Sequence, residues 1–451
     1  MKLATYPAYR TSQIEWVQKV PADWEECSAK SNFLMQLGKM LQNDPSGLED
    51  IEITYLKALH VNWNRVTTED LPKMWASPSD LEQYAVSNGD LLVCEGGEVG
   101  RAAIIRGLEE PAIIQNALHR VRDTERGDVH YFAYLLKHIA DAGWFAILCN
   151  KATIAHLTGD KLGASYMPVP TIPEQQQIAA FLDWKTGQID ALVARKKELL
   201  EKLKEKRIAV ITQAVTQGLN PAAPMRDSGI PWLGQVPQHW KVLKMSWVCT
   251  SIRDGTHNPP ERAAGVHRLL SVRNVQGGRF ALLDDDRTMT PEDFAELQRS
   301  YTVGEGDIVL AIVGATTGKS AIVGKLENVT VQRSLAILRP DRSAISSSFL
   351  HYVIQSPVVQ TEIALTVFKY SAQPGIYLDD VGRLPVVRPP LTEQAAIVAS
   401  LDTETAKLEA LAEKVQSAID RLTEYRTALI TAATTGKTDV REVQIPAKKP
   451  D

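Results

Sequence analysis

Gly314-Ala315-Thr316-Thr317-Gly318-Lys319-Ser320 has the residue types of a phosphate-binding loop: glycines for close backbone approach, a lysine for charge, a hydroxyl for a metal ion. The spacing argues against that chemistry. Three residues separate the glycines where the cradle needs four. An earlier segment, Gly97-Glu98-Val99-Gly100-Arg101, repeats the pattern without the serine and puts a carboxylate in the turn, where a phosphate would be repelled. Both segments read better as hairpin turns whose basic tips, Arg101 and Lys319, point outward. Glu205 would need its neighbours in reverse order to give a nuclease Glu-x-Lys, and Lys204-Glu205-Lys206 falls in a helical stretch. The nine histidines show no H-E-x-x-H or other metal spacing. No acid/base pair or activated nucleophile stands out, so no catalytic residue and no metal ligand is assigned. The chain reads as a recognition module and not as an enzyme.

Asn258-Pro259-Pro260-Glu261 is similar to the tetrapeptide with which amino-methyltransferases hold a target base, but Glu261 occupies the place of the stacking aromatic. No Gly-rich cofactor turn follows a strand elsewhere. Asp254-Gly255-Thr256-His257-Asn258-Pro259 is polar, turn-forming and close to Arg253 and Arg262. Its counterpart in the first half is expected near Asn43-Asp44-Pro45, with very different chemistry. Divergent loops on equivalent scaffolds are what two readers of different sequences need.

The elements that carry these loops are written twice. SQIEWVQKVPADW (12–24) is answered by SGIPWLGQVPQHW (228–240), GDLLVCEGGEVGR (89–101) by GDIVLAIVGATTGK (306–319), and IPEQQQIAAFLD (172–183) by LTEQAAIVASLD (391–402). A long amphipathic stretch follows the last motif in each copy. Leu182, Ile189, Leu192, Leu199, Leu203 and Val210 fall in steps near three and four, matched by Leu401, Leu408, Leu411, Ala418, Leu422 and Leu429. That spacing is a coiled-coil seam. Prolines precede each helix and Gly218 or Gly436 follows it. A helix of about 30 residues would span roughly 45 Å, with a kink expected at Gly187. Each stripe needs cover. The two helices packing antiparallel within one chain is the favoured solution; packing on the adjoining domain, or on a second chain, is the alternative.

The expected fold class is α+β: two pseudo-repeated globular α/β domains separated by two long antiparallel coiled-coil helices. The boundaries are 1–168 (first domain), 169–225 (central helical spacer), 226–388 (second domain), 389–440 (C-terminal helical spacer) and 441–451 (polar tail). The 451 residues are too many for one core. Scattered cysteines, no apolar run of membrane length and no signal-peptide core lead us to expect a cytoplasmic protein without a membrane partner. Net charge is −4. Residues 1–170 hold 16 Lys+Arg against 22 Asp+Glu, and residues 226–390 hold 18 against 16. A DNA-binding role would therefore rest on local patches, or on partners that neutralise phosphates.

These features together resemble the specificity subunit of type I restriction–modification systems, over essentially the whole chain. The resemblance is carried by helix openings of the P-x-x-E-Q-x-x-I-x-x-x-L-D type (Pro-containing 170–183; 389–402), the heptads, the I-x-W-x-x-x-V-P-x-x-W entries and the G-x-x-G-[KR] hairpins. Arg207 with Ile211-Thr212, and Arg426 with Ile430-Thr431, close each helix in the family manner. The first copy lacks the D-G-T-H turn. The resemblance implies two target recognition domains, each reading one half of a bipartite asymmetric site in double-stranded DNA. It implies that the helices set the spacing and dock two modification (methyltransferase) subunits, with restriction (translocase/endonuclease) subunits joining them. S-adenosylmethionine, ATP and Mg would sit on those partners and no cofactor on this chain. The candidate DNA contacts are Lys39, Asn43, Lys57, Arg65 and Arg101 in the first domain, and Arg253, His257, Asn258, Arg273, Arg279, Lys319 and Arg333 in the second. The competing reading is a coiled-coil scaffold without DNA specificity.

Overall fold

Prolines 168 and 170 keep the chain extended before the first long helix can begin, and Pro173 sits in its first turn, where a proline is tolerated. They place a strand, Tyr166–Val169, directly ahead of the helix Ile172–Gln217. The same sequence of events recurs at Pro385–Arg388 and Leu391–Thr434. The computed structural model describes residues 4–149, 156–369 and 375–446; the end of the expected tail, 447–451, lies outside them. Two compact units result. The first comprises 1–197 with 417–451, the second 198–416, so the division cuts through both long helices.

The two units share a four-strand order and a parallel pair, set in sheets of different strand number. In the first, an antiparallel sheet runs in the order Ala102–Ile104, Leu91–Cys94, Leu118–Arg122, Leu34–Leu37. A second sheet centres on a parallel pair, Ile51–Leu56 with Ala112–Ile114. The second unit repeats the first order with Ser320–Ile322, Ile308–Ala311, Leu335–Pro340 and Cys249–Asp254, and the parallel pair with His267–Leu270 and Val329–Val331. Register is retained: Leu91 faces Val121 as Ile308 faces Leu338. Leu91–Cys94 and Ile308–Ala311 are buried along their whole length, which explains why they lack polar alternation.

Buried polar groups repeat as well. Arg122 grips Asp90 with Nε (2.7 Å) and Nη2 (2.9 Å), as Arg339 grips Asp307 (2.9 and 2.8 Å). The Gln175 amide caps its domain helix by accepting from the Asp128 N–H (2.9 Å); Gln394 does the same with Ser346 (2.8 Å). These are the glutamines of the repeated E-Q pair, and both are fully buried.

The long helices pair antiparallel within each unit. In the first, Ile178, Phe181, Leu182 and Ile189 share a core with Leu429, Ile430 and Ala433, and Gln177 donates to the carbonyls of Val440 and Val443. In the second, Ile211, Ala214 and Val215 share a core with Ile397 and Leu401. Each unit's own domain helix joins the same core through Phe132 and Leu135, or through Phe349 and Val353. Cover by the partner helix and cover by the adjoining domain are thus combined.

Three features differ from the sequence reading. The helices have 46 and 44 residues, and one uninterrupted helix runs through Gly187. Arg101 does not point outward; its Nη2 reaches the Ala58 carbonyl at 2.9 Å. The seam also takes a different diagonal. Its seven-spaced line holds, with Leu182, Ile189, Leu203, Leu401 and Leu429 buried and Val210, Leu408 and Leu422 half-buried. The second line is shifted by one residue: Leu192, Leu199 and Leu411 are exposed, whereas Thr186, Thr405 and Ile419 are buried and Val193, Leu200 and Ala412 half-buried; Ala418, on the expected line, is half-buried too. The domains explain the shift. Tyr134 donates to Asp183 (2.7 Å) beside Thr186, and Tyr352 donates to Asp402 (2.7 Å) beside Thr405. Those contacts fix which side of each helix turns inward, and the heptad carries the choice along.

Candidate nucleic-acid interface

Strand ends bring four chain segments together at one end of each domain. In the first domain, Lys39 N–H donates to Ile114 O (2.8 Å), Asn116 N–H to Lys39 O (2.8 Å), Gln115 N–H to Leu56 O (2.9 Å) and Glu95 N–H to Ala117 O (3.0 Å). In the second, Thr256 donates to Val331, Arg333 to Thr256, Gln332 to Leu270 and Ile312 to Ser334, all at 3.0 Å. The correspondence is bond for bond. A Cβ on Gly38 would overlap the Gln115 carbonyl, and one on Gly255 the Val331 carbonyl. Only glycine permits that crossing. The partner of Asp254-Gly255-Thr256-His257 is therefore Leu37-Gly38-Lys39-Met40, and not the region of Asn43-Asp44-Pro45 expected from sequence.

The first domain gathers Lys39, Lys57 and Arg101 at this end. Lys39 is committed to Asp80 (2.9 Å), with its side chain only 14% exposed. Burial pulls the Asp80 carboxyl up, but Lys39 and Ser77 outweigh it and hold it below the usual carboxylate range. Arg101 bridges the Ala58 carbonyl and Glu98 (3.2 Å), and Trp63 Nε1 also donates to Glu98 (2.5 Å). Arg65 is exposed on the Val61–Asn62/Arg65–Val66 hairpin, and Asn43 is exposed on a loop folded around Asp50. Among the described residues neither Lys57 nor Arg65 has a carboxylate partner.

The second domain gathers His257, Asn258, Lys319 and Arg333, all exposed. His257 Nε2 lies 2.6 Å from Asp254 Oδ2. Arg273 forks onto Asp285 (2.8 and 3.2 Å), each strengthening the charged form of the other. Arg279 occupies the hairpin position that Arg65 holds in the first domain. Arg253 lies on the edge strand beside a cleft of roughly 690 Å³ shared with Asp254, Thr256, His257, Ser300 and Tyr301. The turn at 314–320 is no phosphate cradle. The Thr317, Gly318 and Lys319 amides donate to the carbonyls of Gly314, Ala311 and Thr316, and so are already used.

Sequence reasoning missed several participants. Tyr301 holds the Thr256 turn: its hydroxyl accepts from Thr256 N–H (3.0 Å) and donates to Val331 O (2.6 Å). Met40, Leu41 and Leu59 project from the first domain's loops. The signal for them was Gly38 alone, which requires the structure to be paired with Gly255. Among the described residues no group of three or more His, Cys, Asp or Glu could hold a metal ion, and no helix is long and apolar enough to cross a membrane.

Residues 77–204, which run from the first domain into the central helix, match the family model of the type I restriction modification DNA specificity domain. The specificity subunit of the type I restriction enzyme EcoBI of Escherichia coli is 26% identical over 365 residues, covering 79% of this chain and 75% of that protein. The EcoKI specificity subunit of Escherichia coli K12 is also 26% identical, over 280 residues, 60% of this chain and 57% of the relative. A chain solved in work on complex assembly and conformational transition of the type I R-M system has a TM-score of 0.64 at 17% identity, covering 92% of this chain and 99% of its own. The HsdS subunit from Thermoanaerobacter tengcongensis has a TM-score of 0.51 at 16% identity, covering 92% and 98%. With the duplicated domains and paired helices described above, the chain is similar to the specificity subunits of type I restriction–modification systems over most of its length.

Proposed function

We propose that this chain selects the DNA target of a type I restriction–modification complex, each domain reading one half of a bipartite, asymmetric site. The observation that carries the reading is duplication with selective divergence. The two domains repeat strand register and buried hydrogen bonds, yet differ at the side chains that project from one end. Two readers on one duplex face sit about one helical turn apart, roughly 34–36 Å, so a spacer must fix their separation. The paired helices are that spacer and the docking surface for two modification subunits, to which restriction subunits add. S-adenosylmethionine belongs to the modification subunits, ATP and Mg to the restriction subunits, and this chain performs no chemistry itself. Its net charge of −4 means that partner subunits supply much of the phosphate neutralisation.

The test is selection of bound duplexes from a random library by the chain assembled with its methyltransferase partner. We expect an asymmetric two-part consensus with a fixed gap. Exchanging residues 226–386 for those of a relative changes one half only; sequence-indifferent binding, or a change in both halves, overturns the reading. A seven-residue insertion in both helices, near Leu199 and near Ser417, preserves the stripe and widens the gap by about 10 Å, or about three base pairs. An unchanged gap would remove the helices as the ruler.

A further inference from the structure

At four equivalent positions the first domain's reading end carries an apolar side chain where the second carries a polar or charged one. Backbone equivalence pairs Leu37 with Asp254, Met40 with His257, Leu41 with Asn258, and Leu59 with Arg273. Met40 is 74% exposed and Leu59 75%, and Leu37 and Leu41 are exposed beside them. Methionine and leucine held this far into water have no folding rationale, and grouped apolar exposure marks a contact surface. Their setting selects the occupant. Lys57 and Arg65, without carboxylate partners among the described residues, lie on the segments next to Leu59. Met40 follows Lys39, whose backbone is bonded on both sides. An apolar tip on a fixed backbone, flanked by free cations, is complementary to a polyanion with apolar groups in its grooves. The only such group on a base edge in the major groove is the thymine 5-methyl.

We propose that the first domain reads thymine 5-methyl groups through Met40, Leu41 and Leu59. The second domain, with His257, Asn258 and Arg333 in the corresponding segments, reads hydrogen-bonding base edges. The proposal rests on the target-selection reading above and names the chemistry of one half of it. Burying one methyl against these side chains strengthens binding roughly three- to fourfold, so an A·T pair is favoured wherever Met40 or Leu41 touches.

The test uses the full chain assembled with its methyltransferase partner and a target found by selection. The halves are assigned by exchanging residues 226–386. Each thymine of the first domain's half is then replaced by deoxyuridine, which removes only the methyl. Wild-type protein should lose about three- to fourfold in affinity at one or more of these positions. Met40→Ser or Leu41→Ser should abolish that sensitivity while leaving deoxyuridine substitutions in the other half without effect. Both residues are exposed, so the variants fold. A first half that contains no thymine, or tolerates deoxyuridine throughout, overturns the inference while leaving bipartite selection intact. The same holds if the serine variants impair assembly with the methyltransferase subunit and not base discrimination, which would make the patch a protein-docking surface. Failure to select any two-part site removes the underlying reading as well.

Discussion

Between the first domain and the second, what is buried agrees and what projects disagrees. Asp90 and Asp307 are both nearly inaccessible and both receive an arginine fork. Gln175 and Gln394 cap equivalent helices, and Tyr134 and Tyr352 lock equivalent joints with the long helices. Yet Leu37-Gly38-Lys39-Met40 and Asp254-Gly255-Thr256-His257 share only the glycine. The difference follows from energetics. A buried donor or acceptor left unpaired costs about 1–3 kcal/mol, so paired groups are held fixed. Exposed side chains away from such features shift stability by about 0.5 kcal/mol or less, so they are free to acquire different contacts.

The agreement is tested hardest at the seam. Leu182→Ala in the first unit and Leu401→Ala in the second should each cost about 2–5 kcal/mol, because both are fully buried. Leu192→Ala and Leu411→Ala, the equivalent exposed pair, should change stability by about 0.5 kcal/mol or less. Denaturant unfolding followed by a reporter in each unit measures this; two units need not unfold together. A large cost at Leu192 or Leu411 would restore the diagonal expected from sequence.

Next in size are the buried forks. Asp90→Asn and Asp307→Asn should each cost about 2–3 kcal/mol, below the loss for a fully buried pair because both arginines are partly exposed. Each carboxylate also accepts a loop amide, Ser87 N–H at 2.9 Å or Gly304 N–H at 2.8 Å, so the adjoining turn loosens too. Unequal costs would mean that the domains no longer share this anchor.

Much of this was legible in the sequence, for physical reasons that also mark the limit. The repeated Asp before each buried strand, the Gln of each E-Q pair and the seven-spaced line of the seam are held by burial, so they survive divergence. The choice between Leu192 and Val193, or Leu199 and Leu200, was not legible. Both diagonals are apolar, and Tyr134 and Tyr352 decide between them from a distant part of the chain. The first reading loop was hidden because its scaffold residue is a single glycine that meets a carbonyl some 77 residues away. Lys39 and Arg101 were legible as basic, but their commitment to Asp80 and to Ala58 and Glu98 was not.

Acid should separate the units. Burial and the nearby Lys437 push His138 down to about 4, against a smaller opposing pull from Asp141. Its ring accepts or donates at Thr431 Oγ1 (2.9 Å) and packs edge-on to Trp16. The equivalent residue in the second unit is Ser356, which does not titrate. The unfolded chain protonates His138 near pH 6.5, whereas the folded chain resists until about 4. The stabilisation is therefore complete above pH 6.5 and falls as pH is lowered toward 4, by about 2 kcal/mol at pH 5. Burial lowers His60 and His119 in the first unit and His351 in the second, so acid weakens both but the first more. Hydrogen exchange at pH 7 and pH 5 should show this asymmetry, and His138→Gln should reduce it. Equal loss in both units would break the comparison.

The smallest effect concerns two arginines inside the seam. Arg426 forks onto Asp190 (2.9 and 3.3 Å), while Arg207 reaches the equivalent Glu409 at 3.5 Å and also donates to Gln355 (3.1 Å). Both carboxylates are more than half exposed, so each pair stabilises by about 0–1 kcal/mol. Arg426→Lys should cost more than Arg207→Lys, since only the first loses a two-point fork. Arg207→Leu and Arg426→Leu place carbon on a line that is otherwise largely apolar and should be neutral or mildly stabilising. If that holds and the helices keep their register by cross-linking, the seven-spaced leucines alone set the pairing. If register slips, the arginines are retained as polar marks that allow one alignment of two helices with the same apolar spacing.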